Sequence, residues 1–153
     1  MYLLDTNHCS RIIQGCPSVI TRIEKLGDTP VSTCVTVCGE LAFMAEKSQK
    51  KSENLDLIRR FLRDIRVYPT DNRTADIYGR LKSSLLDHFG PREKAKRRKA
   101  ETAKLGFGEN DLWIAATALR FNLTLISADK DFERIREVES LCVESWFQEI
   151  SEP

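Results

Sequence analysis

At 153 residues, 41% hydrophobic and 31% charged, the chain suits a globular domain large enough to bury its own core. A formal net charge of +1 excludes a global field that would attract a polyanion, so any charged partner must be read from local patterning. No basic start followed by a sustained apolar stretch marks a secretory leader, and charges interrupt every hydrophobic run before membrane-spanning length. A cytoplasmic protein with no membrane partner is therefore expected.

Tyr2 to Asp5 reads as the first strand. Asn7 is placed to cap a helix through about Gln14, and Pro17 starts another that reaches Leu26 and stops at Gly27. Val31 to Val35 is β-branched enough for a second strand, followed by a helix from about Thr36 to Lys47. Ser52 is the expected cap of the next helix, in which Leu55, Ile58, Phe61, Leu62 and Ile65 recur at helical spacing. Val67 and Tyr68, stopped by Pro69, make a short strand. From Asn72 onward, Ala75, Tyr78, Leu81 and Leu85 line one helical face. The stretch from Asn110 to Phe121 is apolar nearly all round, which predicts a deeply buried helix. Leu123 to Ser127 is a clear strand, and Leu141 to Val143 is expected as a last strand at the sheet edge.

Short apolar runs alternating with amphipathic helices predict an α/β fold on a central, mostly parallel sheet. Without repeats or low-complexity linkers, one domain is expected over residues 1–153. The five cysteines (Cys9, Cys16, Cys34, Cys38, Cys142) are odd in number and lack disulfide-framework spacing. Cys34 and Cys38 with His8 and His88 make a poor zinc set, which leaves small buried hydrophobes in a reducing compartment.

One segment departs from this pattern. Between Gly90 and Gly108 the chain reads PREKAKRRKAETAKLGF, an apparent insertion. From Pro91 to Lys104 it carries seven basic residues (Arg92, Lys94, Lys96, Arg97, Arg98, Lys99, Lys104) against Glu93 and Glu101, a net +5. Such a run is either a solvated helix with local Glu/Lys pairing or an arm that contacts phosphates.

Four carboxylates occupy positions where a folded chain would not choose one. Asp5 ends a strand, which in open α/β sheets is the end where ligands bind, although taken alone it is better explained as a helix cap. Glu40 shares a helical stripe with Val37, Leu41 and Met44, so it faces the core and stands out more than Asp5; the structural alternative is a buried ion pair to an arginine. Asp111 opens the most hydrophobic helix, with Ile114, Ala115 and Ala118 beneath it; the helix dipole favours an acid there, yet Asn110 is the better cap. Asp129 follows the strand LTLIS as Asp5 follows the first strand. Asp131 competes with it for the same role and is otherwise the cap of the turn holding Phe132 and Ile135.

Isolated carboxylates in such places would each cost several kcal/mol unless neutralised. Together they describe a hard-cation site, because oxygen ligands suit Mg²⁺ or Mn²⁺, which keep waters and bind substrate phosphates. Such a site lowers the pKa of a metal-bound water and stabilises the leaving oxygen of a phosphodiester without a catalytic histidine.

With those residues in view, LLDTN at the start, GEL around Glu40, ENDLWIAATAL around Asp111, LISADKDF around Asp129 and the later VESW (Val143 to Trp146) resemble the PIN-domain ribonucleases. More closely the ordered set is similar to the VapC-type toxins of prokaryotic toxin–antitoxin pairs. The resemblance covers nearly the whole chain. It implies a PIN-like α/β/α sandwich and a Mg²⁺- or Mn²⁺-dependent endoribonuclease that hydrolyses RNA with a metal-activated water. The family's acids fall on Asp5, Glu40, Asp111 and Asp129, with Thr6, Asn7 and Ser127 orienting ligands or water. It also implies a homodimer and a cognate antitoxin that covers the site. The basic insertion at about 90–108 is longer than the family's usual loop, and RNA-backbone contacts are expected from Lys96, Arg97, Arg98 and Lys99. Two rivals stand beside this reading. A haloacid-dehalogenase-type phosphatase would need an aspartate where Asn7 stands. A non-catalytic PIN-like RNA-binding or scaffolding module would not need all four acids.

Overall fold

A computed structural model describes residues 1–147; the last residues of the expected domain, 148–153, lie outside the described residues. Five short strands form one sheet: β1 (Tyr2–Leu4), β2 (Val31–Cys34), β3 (Arg66–Tyr68), β4 (Thr124–Ile126) and β5 (Val143–Glu144). Their spatial order is β3-β2-β1-β4-β5, and among the described residues every pairing is parallel, as expected of a central parallel sheet. The helices are α1 (Thr6–Ile13), α2 (Pro17–Leu26), α3 (Val35–Glu46), α4 (Lys51–Arg63), α5 (Asn72–Phe89), α6 (Lys94–Arg97), α7 (Glu109–Phe121) and α8 (Lys130–Ile135). They flank the sheet in the expected α/β/α arrangement.

The central strands are apolar because both faces of a parallel sheet are covered. Leu3, Leu4, Leu125 and Ile126 are wholly buried, and each such side chain contributes about 1.5–3 kcal/mol of hydrophobic stabilisation. Asp5 extends the same ladder by donating its backbone N–H to the carbonyl of Ile126 at 3.1 Å. The chain builds outward from β1 through β2 to β3, then returns to the other side of β1 to lay down β4. Strand order therefore reverses between β1 and β4, and the carboxyl ends of those strands flank the crevice where open α/β sheets bind ligands.

α7 is buried as its composition predicts, with Leu112 and the whole run Ile114 to Ala118 inside. It packs between α5 and α3. Asn122 ends it in the left-handed conformation at φ 52°, a role that suits asparagine.

Several local expectations are corrected. The first helix begins at Thr6, and its cap is Asp5 rather than Asn7, because the strand ends at Leu4 and leaves no intervening loop. Ser52 lies inside the first turn of α4, whose cap residue Lys50 makes no side-chain bond. Ser48 does that local work instead, its hydroxyl accepting the Lys50 N–H at 3.0 Å and the Asn54 amide at 2.7 Å. On α5 the buried stripe runs through Thr74, Leu81 and Leu85, and Ala75 is exposed one position off it. Thr74 is drawn inward by its capping box with Asp71. Met44 is also exposed rather than core-facing, although Val37 and Leu41 of its stripe are buried.

The basic segment forms α6 and a 3-10 turn over Thr102–Leu105. Its far end is anchored by buried Thr102 and Phe107. Arg134 lies over the Phe107 ring at 4.1 Å and donates to the Leu105 carbonyl at 2.9 Å.

Candidate functional site

The carboxyl end of β1, the first turn of α1, the middle of α3, the start of α7 and the turn after β4 converge on one cleft of about 160 Å³. Asp5, Thr6, Asn7, Glu40, Asp111, Ile114, Asp129 and Phe132 line it. All four acids read from the sequence are thus brought together, along with two of the three residues expected to orient them. Ser127 stands just behind, buried, its hydroxyl accepting the Asp129 backbone N–H at 3.1 Å.

Each acid is held differently. Asp5 is 5% exposed, and its Oδ1 accepts both the His8 backbone N–H at 2.8 Å and the His8 ring Nδ1 at 2.9 Å. It caps α1 and faces the cleft at once, so the two explanations weighed for it are compatible. Glu40 is gripped from both sides. The Thr6 hydroxyl donates to Oε2, and the Asn110 amide donates to Oε1 at 2.9 Å. No arginine pairs with it among the described residues.

Asn110 is therefore not a cap. α7 begins one residue earlier, at Glu109, with Gly108 in the capping position, and this turns the Asn110 amide toward α3. Gly108 has a steric reason to be glycine, since a Cβ there would lie 3.0 Å from Oδ2 of Asp111.

At the β4 turn Asp129 keeps its expected place in the cleft and also takes the capping role expected of Asp131. Asp129 is the cap of α8, its side chain accepting the Asp131 N–H at 2.9 Å. Asp131 sits in the first turn and pairs with Arg134 at 3.1 Å. One carboxylate oxygen from each of Asp111, Asp129 and Asp131 lies within 4.8 Å of the others. The sequence treated Asp131 as a competitor of Asp129, whereas the structure groups both with Asp111.

This crowding shows in the chemistry of Asp111. Burial, followed by the charges of Asp129, Glu40, Asp131 and Asp5, pushes its carboxyl up from 3.8 to about 7. A carboxylate so disfavoured is either protonated or neutralised by a cation. The donor set is all oxygen and clustered, which fits a hard divalent ion rather than zinc or copper. A larger groove of about 200 Å³ lies between α1, α3 and α4, but no titratable side chain lines it.

None of Lys96, Arg97, Arg98 or Lys99 lines the acidic cleft. Arg97 is turned inward, 3.1 Å from Asp87 and donating to the carbonyls of Pro91 and Arg92. Lys96 pairs with Glu93 at 2.7 Å, and Arg98 and Lys99 are exposed.

Comparison with known proteins shows what the chain as a whole is similar to. Residues 2–138 match the PIN domain family model. The chain is 30% identical over 149 residues to "Ribonuclease VapC2" of Rickettsia felis, covering 95% of this chain and 98% of that protein. It is equally 30% identical over 147 residues to "Ribonuclease VapC2" of Haemophilus influenzae, with 95% and 97% covered. Among solved structures, VapBC2 from Rickettsia felis bound to a promoter DNA fragment superposes with a TM-score of 0.73 at 28% identity, over 95% of this chain and 98% of that one.

Proposed function

Because this chain belongs to the PIN-domain family and to its VapC-type group, we propose that it is a metal-dependent endoribonuclease and the toxin of a type II toxin–antitoxin pair. The observation that carries the reading is the convergence of Asp5, Glu40, Asp111 and Asp129 on one cleft, with the Asp111 carboxyl raised to about 7. Asp131 joins them as a further oxygen donor.

Asp5, Glu40, Asp111 and Asp129 would hold Mg²⁺ or Mn²⁺, with Asp131 beside them. When bound, such an ion lowers the pKa of water and screens charge on a scissile phosphodiester. The chain's own residues prepare the place. Thr6 and Asn110 lock the Glu40 carboxylate in one rotamer, Ser127 fixes the backbone at Asp129, and Gly108 leaves room for Asp111. Asn7, exposed on the cleft lining, is free to orient water or a phosphate oxygen.

The substrate is RNA, and the exposed cations Arg98 and Lys99 of the 90–108 insertion supply backbone contacts. Arg97 instead holds the arm's shape. The partner is a cognate antitoxin, as in the VapBC complex that this fold superposes on. Exposed Phe43, Met44 and Leu57 on α3 and α4 offer apolar surface for it. The protein is a homodimer of single-domain chains and works in the cytoplasm. No helix among the described residues is long and apolar enough to cross a membrane.

The test is to map RNA 5′ ends after brief induction of the chain without any antitoxin. New ends at a defined set of sites, absent with Asp5→Asn, are expected. An unchanged 5′-end profile in cells that accumulate folded protein would overturn the reading.

A further inference from the structure

His8 has no part in the chemistry above, yet it is wholly buried and touches the cleft through Asp5. Its Nε2 lies 3.3 Å from the backbone nitrogen of Trp146, 138 positions along the chain. A backbone N–H can only donate, so Nε2 must be the bare acceptor nitrogen. The ring hydrogen then sits on Nδ1, which donates to Oδ1 of Asp5 at 2.9 Å. The His8 backbone N–H donates to that same oxygen at 2.8 Å. Both donors therefore fall on Oδ1, and among the described residues none reaches Oδ2.

We propose that His8 is a positioning residue that saturates Oδ1 of Asp5 and leaves Oδ2 as the only oxygen offered to a divalent cation. The segment after β5 acts as a clip that sets the His8 tautomer. The inference rests on reading Asp5 as a cation ligand, and deepens it. A histidine that merely filled the core would be indifferent to its tautomer and to its neighbour. Here one ring nitrogen faces a cleft carboxylate and the other faces a backbone donor from the far end of the chain. Aromatic packing fixes the ring plane between them. The Phe147 ring lies 4.2 Å from it and the Trp146 ring meets it edge-on at 6.3 Å. Arg11 lies over the Phe147 ring at 3.9 Å. Saturating one oxygen converts a carboxylate that could chelate into a single directed ligand, which sets the approach of the ion.

Two measurements on the full chain test this. The protein has only two histidines, so ¹⁵N NMR of the labelled imidazoles, with His88→Asn for assignment, reads the His8 tautomer in the otherwise native protein. Hydrogen on Nδ1 with bare Nε2 is expected; hydrogen on Nε2 overturns the proposal, even if every His8 variant fails to fold. Separately, Mn²⁺ affinity is read by electron paramagnetic resonance, with folding checked by thermal unfolding. His8→Leu should weaken Mn²⁺ binding by about 10–100-fold. His8→Asn, whose amide N–H can stand near the Nδ1 position, should recover most of it. Equal affinity in His8→Leu and the unsubstituted protein overturns the inference, as does a folded His8→Asn that binds no better than His8→Leu. No Mn²⁺ binding by the unsubstituted protein would instead overturn the metal reading, and this inference with it.

Discussion

The Asn110 side chain, in the first turn of α7, donates a 2.9 Å hydrogen bond to Oε1 of Glu40 on α3. This contact ties together two elements that each carry an acid of the cleft, and with Thr6 on Oε2 it leaves Glu40 little rotational freedom. Asn110→Ala should therefore weaken Mn²⁺ binding and RNA cleavage by about 10-fold or more, as loss of ligand-orienting groups does elsewhere. Because Asn110 is exposed, the thermal midpoint should move by no more than a few degrees. Asn110→Asp, which sets a like charge against Glu40, should be worse than alanine. Parallel kinetics and unfolding curves check both.

Gly108 and Asp111 form a second pair. An alanine Cβ at 108 would sit 3.0 Å from Oδ2 of Asp111, closer than ordinary packing allows. The backbone there is extended at φ −71°, so alanine brings no conformational strain. Gly108→Ala should then displace the carboxylate and cut kcat severalfold while leaving stability nearly unchanged. A variant with native kcat would show that Asp111 can turn aside without consequence.

The raised Asp111 carboxyl has a consequence for stability. At pH below its ordinary value of 3.8, the group is protonated in both folded and unfolded chains. Between 3.8 and about 7 the folded chain keeps a proton that the unfolded chain has lost. Unfolding there releases a proton, so this group's contribution falls as pH rises through that window and is gone above it. Asp71, held low first by Arg120 and then by Thr74, acts oppositely, but only as pH falls below the ordinary carboxyl range. Chelator-treated Asp111→Asn should thus be more stable than the parent at pH 8, by about 1 kcal/mol or 2–4 °C, and converge with it near pH 4. Added Mn²⁺ should raise the parent's midpoint more at pH 8 than at pH 5.5. Identical pH slopes for the two proteins would contradict the repulsion.

The cations of the arm before Gly108 lie in two different environments. Arg97 binds Asp87 and two carbonyls, whereas Arg98 and Lys99 are exposed. Neutralising Arg98 and Lys99 together should weaken RNA binding and flatten its salt dependence by up to two counterions' worth. Arg97→Gln should chiefly lower thermal stability. Filter-binding at graded salt, beside thermal unfolding, separates the two outcomes.

The strand-then-acid pattern at Asp5 and Asp129 was legible because a buried strand ending in a carboxylate is costly wherever it occurs. The burial of α7 was legible from an apolar character that no surface helix carries. What the sequence hid were one-residue matters of where a helix begins. Starting α1 at Thr6 made Asp5 its cap, and starting α7 at Glu109 turned Asn110 from cap to Glu40 partner. Starting α8 at Lys130 made Asp129 the cap and freed Asp131 for the acidic cluster. Hydrophobic periodicity locates a helix but not its first residue to that precision. The bond between His8 and Trp146 joins opposite ends of the chain, and no local pattern encodes it.

The most direct test is cleavage of a mixed cellular RNA by the purified chain, freed of any antitoxin. It would compare Mn²⁺, Mg²⁺ and excess chelator for the parent and for Asp111→Asn. Discrete fragments that appear with either ion, and vanish with chelator and in Asp111→Asn, are the predicted result. Metal-loaded, folded parent protein that binds RNA and leaves it intact, or cuts equally well in chelator, would contradict the proposal that these acids form a metal-dependent ribonuclease centre.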